Sequence, residues 1–165
     1  MAQQCYYLSM IEIRFAAKED MDELMRIRLE MLREVNSLPE GYAFSDTLVR
    51  SSVKYFESGN DATVLALDGG RAVACASLSF IEIMPTYGHP TGKRAHLMNV
   101  YTNPSYRRQG LAARMLNMLI DLARDRGVTE ISLDATESGR PLYESMGFGT
   151  NHEAMNLILE DCRGK

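Results

Sequence analysis

From Ile11 to Phe15 the chain alternates apolar and charged residues, Ile-Glu-Ile-Arg-Phe, the period-two pattern of a half-buried strand. The period then changes. Lys18-Glu19-Asp20 puts acidic residues into the first turn of a helix. Two adjacent stripes, Leu24/Ile27/Met31/Val35 and Met21/Met25/Leu29/Leu32, give that helix a wide apolar face, and Leu38-Pro39-Glu40-Gly41 ends it. A second helix is expected from near Asp46 to Glu57, with Leu48, Val49, Val53 and Phe56 turned inward and Gly59 as its stop. Residues 62–67 and 72–83 are the arms of a hairpin turned by Asp68-Gly69-Gly70, which supplies the positive φ angles of a tight turn. Residues 84–92 carry two prolines and two glycines and form no regular element. Residues 95–102 read as another strand. The strongest helix begins near Gly110, where Leu111/Met115/Met118/Leu122 and Ala112/Leu116/Leu119/Ala123 share one side and Gly127 closes it. A strand over 129–135, a short helix over 141–146 closed by Gly147, and a last strand over 154–159 complete the pattern.

One hairpin and one strand–helix–strand unit, residues 95–135, are thus combined, and the latter requires a parallel pair joined by a right-handed crossover. The fold class is α/β, a mixed sheet with helices on both faces. The chain has 165 residues, 45% hydrophobic and 24% charged, a globular balance with no repeat or long linker. This predicts one domain over 11–160 preceded by an extension over 1–10. With 18 basic against 22 acidic residues the net charge is −4, which argues against a nucleic-acid or anionic-membrane partner but leaves room for a local basic pocket. No run approaches the roughly 20 apolar residues of a membrane span, and residues 1–10 lack the pattern of a signal peptide. Cys5, Cys75 and Cys162, with no CxxC, read as reduced thiols of a cytoplasmic protein and suggest no metal site.

The chemistry is expected where the strand over 95–102 runs into Arg107-Arg108-Gln109-Gly110-Leu111-Ala112 and the long helix. Free N–H groups at a helix start, the positive end of its dipole and two arginines make an anion site. Gly110 and Ala112 keep the backbone approachable. Neither the Gly-Lys-Ser/Thr ending of a nucleotide-hydrolysing loop nor the G-x-G-x-x-G dinucleotide pattern is present. On its own the loop reads equally well as a basic surface turn.

Arg107-x-x-Gly110-x-Ala112, between a Val/Tyr/Thr strand and a long helix, resembles the coenzyme-A loop of the GCN5-related N-acetyltransferase (GNAT) superfamily. Val100-Tyr101-Thr102-Asn103-Pro104 is similar to the family's strand leading into that loop. Ile131-Ser-Leu-Asp-Ala-Thr and Pro141-Leu142-Tyr143-Glu144-x-x-Gly147-Phe148 resemble its late strand and Leu-Tyr-x-x-x-Gly-Phe segment, and the opening Ile-Arg-Phe-Ala-Ala-Lys-Glu-Asp resembles its usual start. The resemblance covers about residues 11–160. It implies a mostly antiparallel sheet with one splayed parallel pair, ending near Thr102 and Ala135, and acetyl-CoA as co-substrate in the gap. Unpaired backbone groups there must find partners. The resemblance assigns them, at Val100, Tyr101 and Thr102, to the pantetheine arm, with the Val100 N–H polarising the thioester carbonyl. The pyrophosphate would take N–H groups over 108–112, from Arg108, Gln109, Gly110, Leu111 and Ala112. Where many relatives have an Asn after the late strand, this chain has Ser138 nearest, which also suits a cap for the following helix. The C-terminal end shows one strand where relatives often have two.

By the same resemblance Tyr143 is the thiolate-facing tyrosine, a general acid for the departing thiol. A base for the amine is sought in Glu82, near the end of the hairpin strand, and His96, four residues before Val100, with a water relay as the third choice. Strict alternation puts His96 on the face of Val100 unless a bulge intervenes. The implied activity is acetyl transfer by direct attack of a primary amine on a small molecule or peptide. A non-catalytic acyl-CoA sensor is the alternative, and a homodimer is left open. Tyr87 and His89 in the 84–92 loop do not name the acceptor.

Overall fold

Among the described residues five strands form one sheet in chain order: β1 (Glu12–Phe15), β2 (Asp61–Asp68), β3 (Arg71–Glu82), β4 (Lys93–Thr102) and β5 (Glu130–Leu133). The first four pair antiparallel and β4 pairs β5 parallel, as the strand–helix–strand pattern requires. The helices are α1 (Met21–Val35), α2 (Asp46–Glu57), α3 (Leu111–Asp125) and α4 (Arg140–Ser145). The computed structural model describes residues 11–159, so the N-terminal extension lies outside the described residues. These residues form two units, one ending at Asp134 and one beginning at Ala135. No helix among the described residues is long and apolar enough to cross a membrane.

The central strands β2 and β3 are buried for most of their length, which is why residues 62–67 and 72–78 read as near-continuous apolar runs. On one face Ile27 and Met31 of α1 pack against Leu65, Leu67, Ala72, Cys75 and Tyr101. On the other lies α3, whose Leu111, Met115, Leu116, Leu119 and Ala123 are buried. Its end is pinned by the Arg126 guanidinium, 4.2 Å from the Phe80 ring centroid. Gly69 and Gly70 turn the β2–β3 hairpin at φ 57° and 86°, the conformation the sequence pattern demands. Gly92 cannot be replaced for a different reason: a Cβ there would lie 2.2 Å from the Ile83 carbonyl oxygen.

The start of α1 is fixed electrostatically. Asp20 accepts from both Arg14 guanidinium nitrogens, at 2.6 and 2.9 Å, and from the Ala17 N–H at 2.7 Å. The Arg14 contact holds the Asp20 carboxyl down at about 2, well below its ordinary value. A depressed carboxylate stabilises the fold fully above its unfolded pKa, near 4, and that stability is lost as pH falls towards 2. Asp20→Asn should therefore lower unfolding stability by about 1–2 kcal/mol at neutral pH and much less near pH 2, read from urea titrations at both pH values.

The strand expected over 154–159 does not form. Those residues join no ladder, and Met155, Leu157 and Leu159 stand exposed. An apolar run becomes a strand only where a neighbour satisfies its backbone, and none does so here among the described residues.

Candidate active site

The site begins with an extra residue in β4. Ser77 faces Met98 while Cys75 faces Tyr101, so Asn99 and Val100 stand together against the single Ala76. Asn99 adopts φ 55° and is held by three bonds. Its Oδ1 accepts from Arg28 Nη1 (3.2 Å), its Nδ2 donates to Ser77 Oγ (3.2 Å), and its carbonyl accepts from the Cys75 thiol (3.2 Å). Burial pushes that thiol up to about 12, so it stays protonated and serves as a donor.

The bulge overturns the alternation expected along β4. His96 faces Ser79 and Met98 faces Ser77, on the face that also carries Tyr101 opposite Cys75. Val100, one step before Tyr101, therefore lies on the opposite face from His96. His96 Nδ1 is 2.9 Å from Ser132 Oγ, and its Nε2 lies 3.7 Å from the Asp134 carboxylate, beyond hydrogen-bond range. Glu82 is exposed opposite Lys93, seven residues along β4 from Val100, roughly 23 Å at the strand rise. The structure does not bring Glu82 to the bulge.

Immediately before the bulge, β4 and β5 part. Arg94–Leu97 of β4 pair with Glu130–Leu133 of β5, and among the described residues no strand pairs with residues 98–102 on that side. The chain then turns through Asn103, whose side chain accepts from the Ser105 N–H, and a single 3₁₀ turn, Pro104–Tyr106. Tyr106 donates to Asp68 at 2.6 Å. Arg108 (φ 64°) and Gly110 (φ 75°) are both left-handed, and Gly110 is the N-cap of α3 with no side chain to close it. The first N–H groups of α3 thus have no capping side chain, and a Cβ at Gly110 would meet nothing within 4 Å.

The loop side chains divide their work. Arg107 is committed inward, its Nε to the Thr102 carbonyl (2.9 Å) and its Nη2 to Glu34. Leu111 is core, and Tyr101 is buried with its hydroxyl donating to Glu30 and Glu34 at 3.0 and 3.2 Å. Neither side chain is left for a ligand, and the Tyr101 backbone pairs with Cys75 of β3. Asn103 Nδ2 also donates to Glu30, at 2.8 Å. Two α1 carboxylates thus clamp the end of β4 and the loop that follows it.

On the face shared with His96, a cavity of about 240 Å³ opens beneath the bulge, between α1, α2 and β4. Arg28, Ser52, Asn99 and Met98 line it, with Tyr55 and Phe56 from α2. Tyr55 is hydrogen-bonded to Ser79, and Ser77 joins Thr63 (2.8 Å) and through it Asp61 (3.0 Å). Sequence reasoning missed this cluster. The signal was present: Ser52 sits among the inward positions of α2, and Asn99 sits between Leu97 and Tyr101 in the buried register of β4. A polar residue at a buried position needs a partner, and the partner here is Arg28.

In the second unit Tyr143 stacks edge-on against Phe148, ring centroids 6.0 Å apart. Its hydroxyl has no hydrogen-bond partner among the described residues, and burial raises its pKa. Ser138 does not cap α4. It bonds Thr136 Oγ1 (3.3 Å), and Thr136 Oγ1 accepts from the Gly139 N–H (3.2 Å).

Residues 23–148 match the model of the acetyltransferase (GNAT) family. The chain belongs to that family. A crystal structure of a predicted acetyltransferase from Clostridium acetobutylicum with acetyl-CoA superposes at TM-score 0.80 and 30% identity, covering 91% of this chain and 97% of that one. A GCN5-related N-acetyltransferase from Ralstonia eutropha JMP134 superposes at 0.75 and 28%, covering 90% and 98%. Among curated proteins, glucosamine 6-phosphate N-acetyltransferase of Trypanosoma brucei brucei is 33% identical over 90 residues, 54% of this chain. That match spans 59% of the relative's own length.

Proposed function

We propose that the protein transfers the acetyl group of acetyl-CoA to a primary amine by direct attack. The observation that carries this reading is the parting of β4 from β5 at the bulge, above a capless helix start. Acetyl-CoA supplies the activated acyl group, and the rest is done by the chain. The exposed backbone at Val100 and Thr102 receives the pantetheine amides, and the Thr102 carbonyl keeps a second lone pair beside its Arg107 bond. The N–H groups over 108–112 receive the pyrophosphate, and the Val100 N–H polarises the thioester carbonyl. Ser138 is the proposed contact to the cofactor arm.

As the amine nitrogen bonds the acyl carbon, the C–S bond breaks. The amine must shed a proton and the sulfur must gain one. We assign the first to His96 and the second to Tyr143. His96 lies on the bulge's cavity side, and its Nε2 makes no hydrogen bond among the described residues, with the Asp134 carboxylate 3.7 Å away, which suits a proton acceptor acting directly or through one water. Glu82 carries no step in this scheme.

Coenzyme-A thiol release across a broad amine panel tests the activity. Acetyl-CoA binding with no turnover of any amine would favour the sensor reading instead. With a working acceptor, His96→Gln should lower kcat about 10²-fold while acetyl-CoA affinity is unchanged. A variant that keeps the rate would return the amine's proton to bulk-connected water.

A further inference from the structure

The cavity beneath the bulge holds a cation that no carboxylate neutralises among the described residues. Arg28 donates from Nε to Ser52 Oγ and from Nη1 to Asn99 Oδ1, each at 3.2 Å, and both acceptors are neutral. Arg26, two residues earlier on the same helix, shows the contrast: it is bracketed by Glu23 and Glu30 at 2.8 and 2.9 Å. A guanidinium carries five N–H donors in a planar fork, so three of Arg28's remain uncommitted. Burial also lowers its pKa, the mark of a charge short of solvation.

We infer that Arg28 anchors an anionic group of the acceptor, which is therefore a small primary amine carrying a carboxylate or a phosphate. The inference rests on the reading that the acetyl group is presented at the β4 bulge. Three features of the cavity support it. A carboxylate or phosphate takes two parallel N–H groups of one guanidinium, a geometry available to Arg28 and closed to a neutral amide or an amine. The volume, about 240 Å³, lies below the range of roughly 300–1,000 Å³ typical of drug-sized ligands, so it suits a molecule of few atoms and not a peptide chain. The same Arg28 fork holds Asn99 of the bulge, so the anchored group is tied to the residue beside the Val100 N–H. Anchoring at one end of a short molecule places its amine at the other end by length, which selects acceptors by the spacing between anion and nitrogen.

Matched primary amines decide the matter: α- and ω-amino carboxylates, their methyl esters, and aminoalkyl phosphates of equal chain length. Two readouts are taken on coenzyme-A-loaded protein labelled with ¹⁵N-arginine. The first is the Arg28 Nε–H resonance, assigned by its loss in Arg28→Lys. The second is thiol release when acetyl-CoA replaces coenzyme A. At least one carboxylate or phosphate should shift that resonance saturably while its neutral counterpart does not, and the better of the two anions names the group. Its kcat/KM should fall at least about 30-fold in Arg28→Met and recover in part in Arg28→Lys, with the neutral counterpart changed less than threefold. Equal turnover of acid and ester by the unaltered protein, or an equal loss for both in Arg28→Met, would overturn the anchor and leave acetyl transfer standing. A saturable shift with no thiol release would do the reverse. No shift with any anion overturns the anchor whatever the variants do.

Discussion

Tyr143→Phe is expected to lower kcat roughly 10²–10⁴-fold while acetyl-CoA affinity stays within about twofold, the pattern of a lost general acid. The substitution keeps the edge-on contact with Phe148 and deletes only a hydroxyl that has no partner among the described residues. No buried bond is broken, so stability should be little changed. Burial raises the phenol's pKa, so the group is fully protonated across the neutral range and always ready to donate. The direction of that shift also fixes the pH behaviour. Tyr143 should contribute no falling limb below about pH 10, its ordinary value. A rate unaltered by the substitution, on an acceptor whose chemistry limits turnover, would reduce Tyr143 to a packing residue.

The second large effect is on binding. Gly110→Glu should abolish measurable acetyl-CoA binding in a protein that still folds. A Cβ at this position would meet no atom within 4 Å. What changes is conformation and charge: φ 75° costs a non-glycine residue about 1–2 kcal/mol, and the carboxylate competes for the N–H groups a pyrophosphate would use. Gly110→Ala separates the two causes, since it carries the strain without the charge. Calorimetry should show a modest loss for alanine and no detectable heat for glutamate. Unchanged affinity in a folded Gly110→Glu protein would remove the loop from cofactor binding.

The helix start at Gly110 was legible in the sequence because its geometry is local. A glycine before an apolar periodic run needs only its own backbone to take the left-handed N-cap conformation found there. The cavity was not legible, because it is assembled from distant residues. Asn99 is held by Arg28, 71 residues earlier, and by Ser77, 22 residues earlier, and no short window shows both. The bulge itself leaves no mark in an apolar pattern, yet it changes which face every earlier β4 side chain occupies, and the His96–Val100 alignment failed for that reason. Where pairing was set by turn chemistry, as at Gly69-Gly70, register followed from sequence. The run over 154–159 failed in the opposite way: its apolar residues satisfy strand statistics, but no ladder forms there among the described residues.

The two α1 carboxylates that clamp the loop before α3 share their helix with Arg28, two and six residues further along. At the rise of an α-helix these spacings are about 3 and 9 Å, set by backbone hydrogen bonds and not by any loop. The helix therefore acts as a ruler with two independent marks. On the reading proposed above, substitutions around Arg28 and its α2 neighbours retune which amine is accepted while Glu30 and Glu34 hold the loop before α3 where it was. Under that reading, such a layout lets acceptor choice drift over generations against a constant acyl donor.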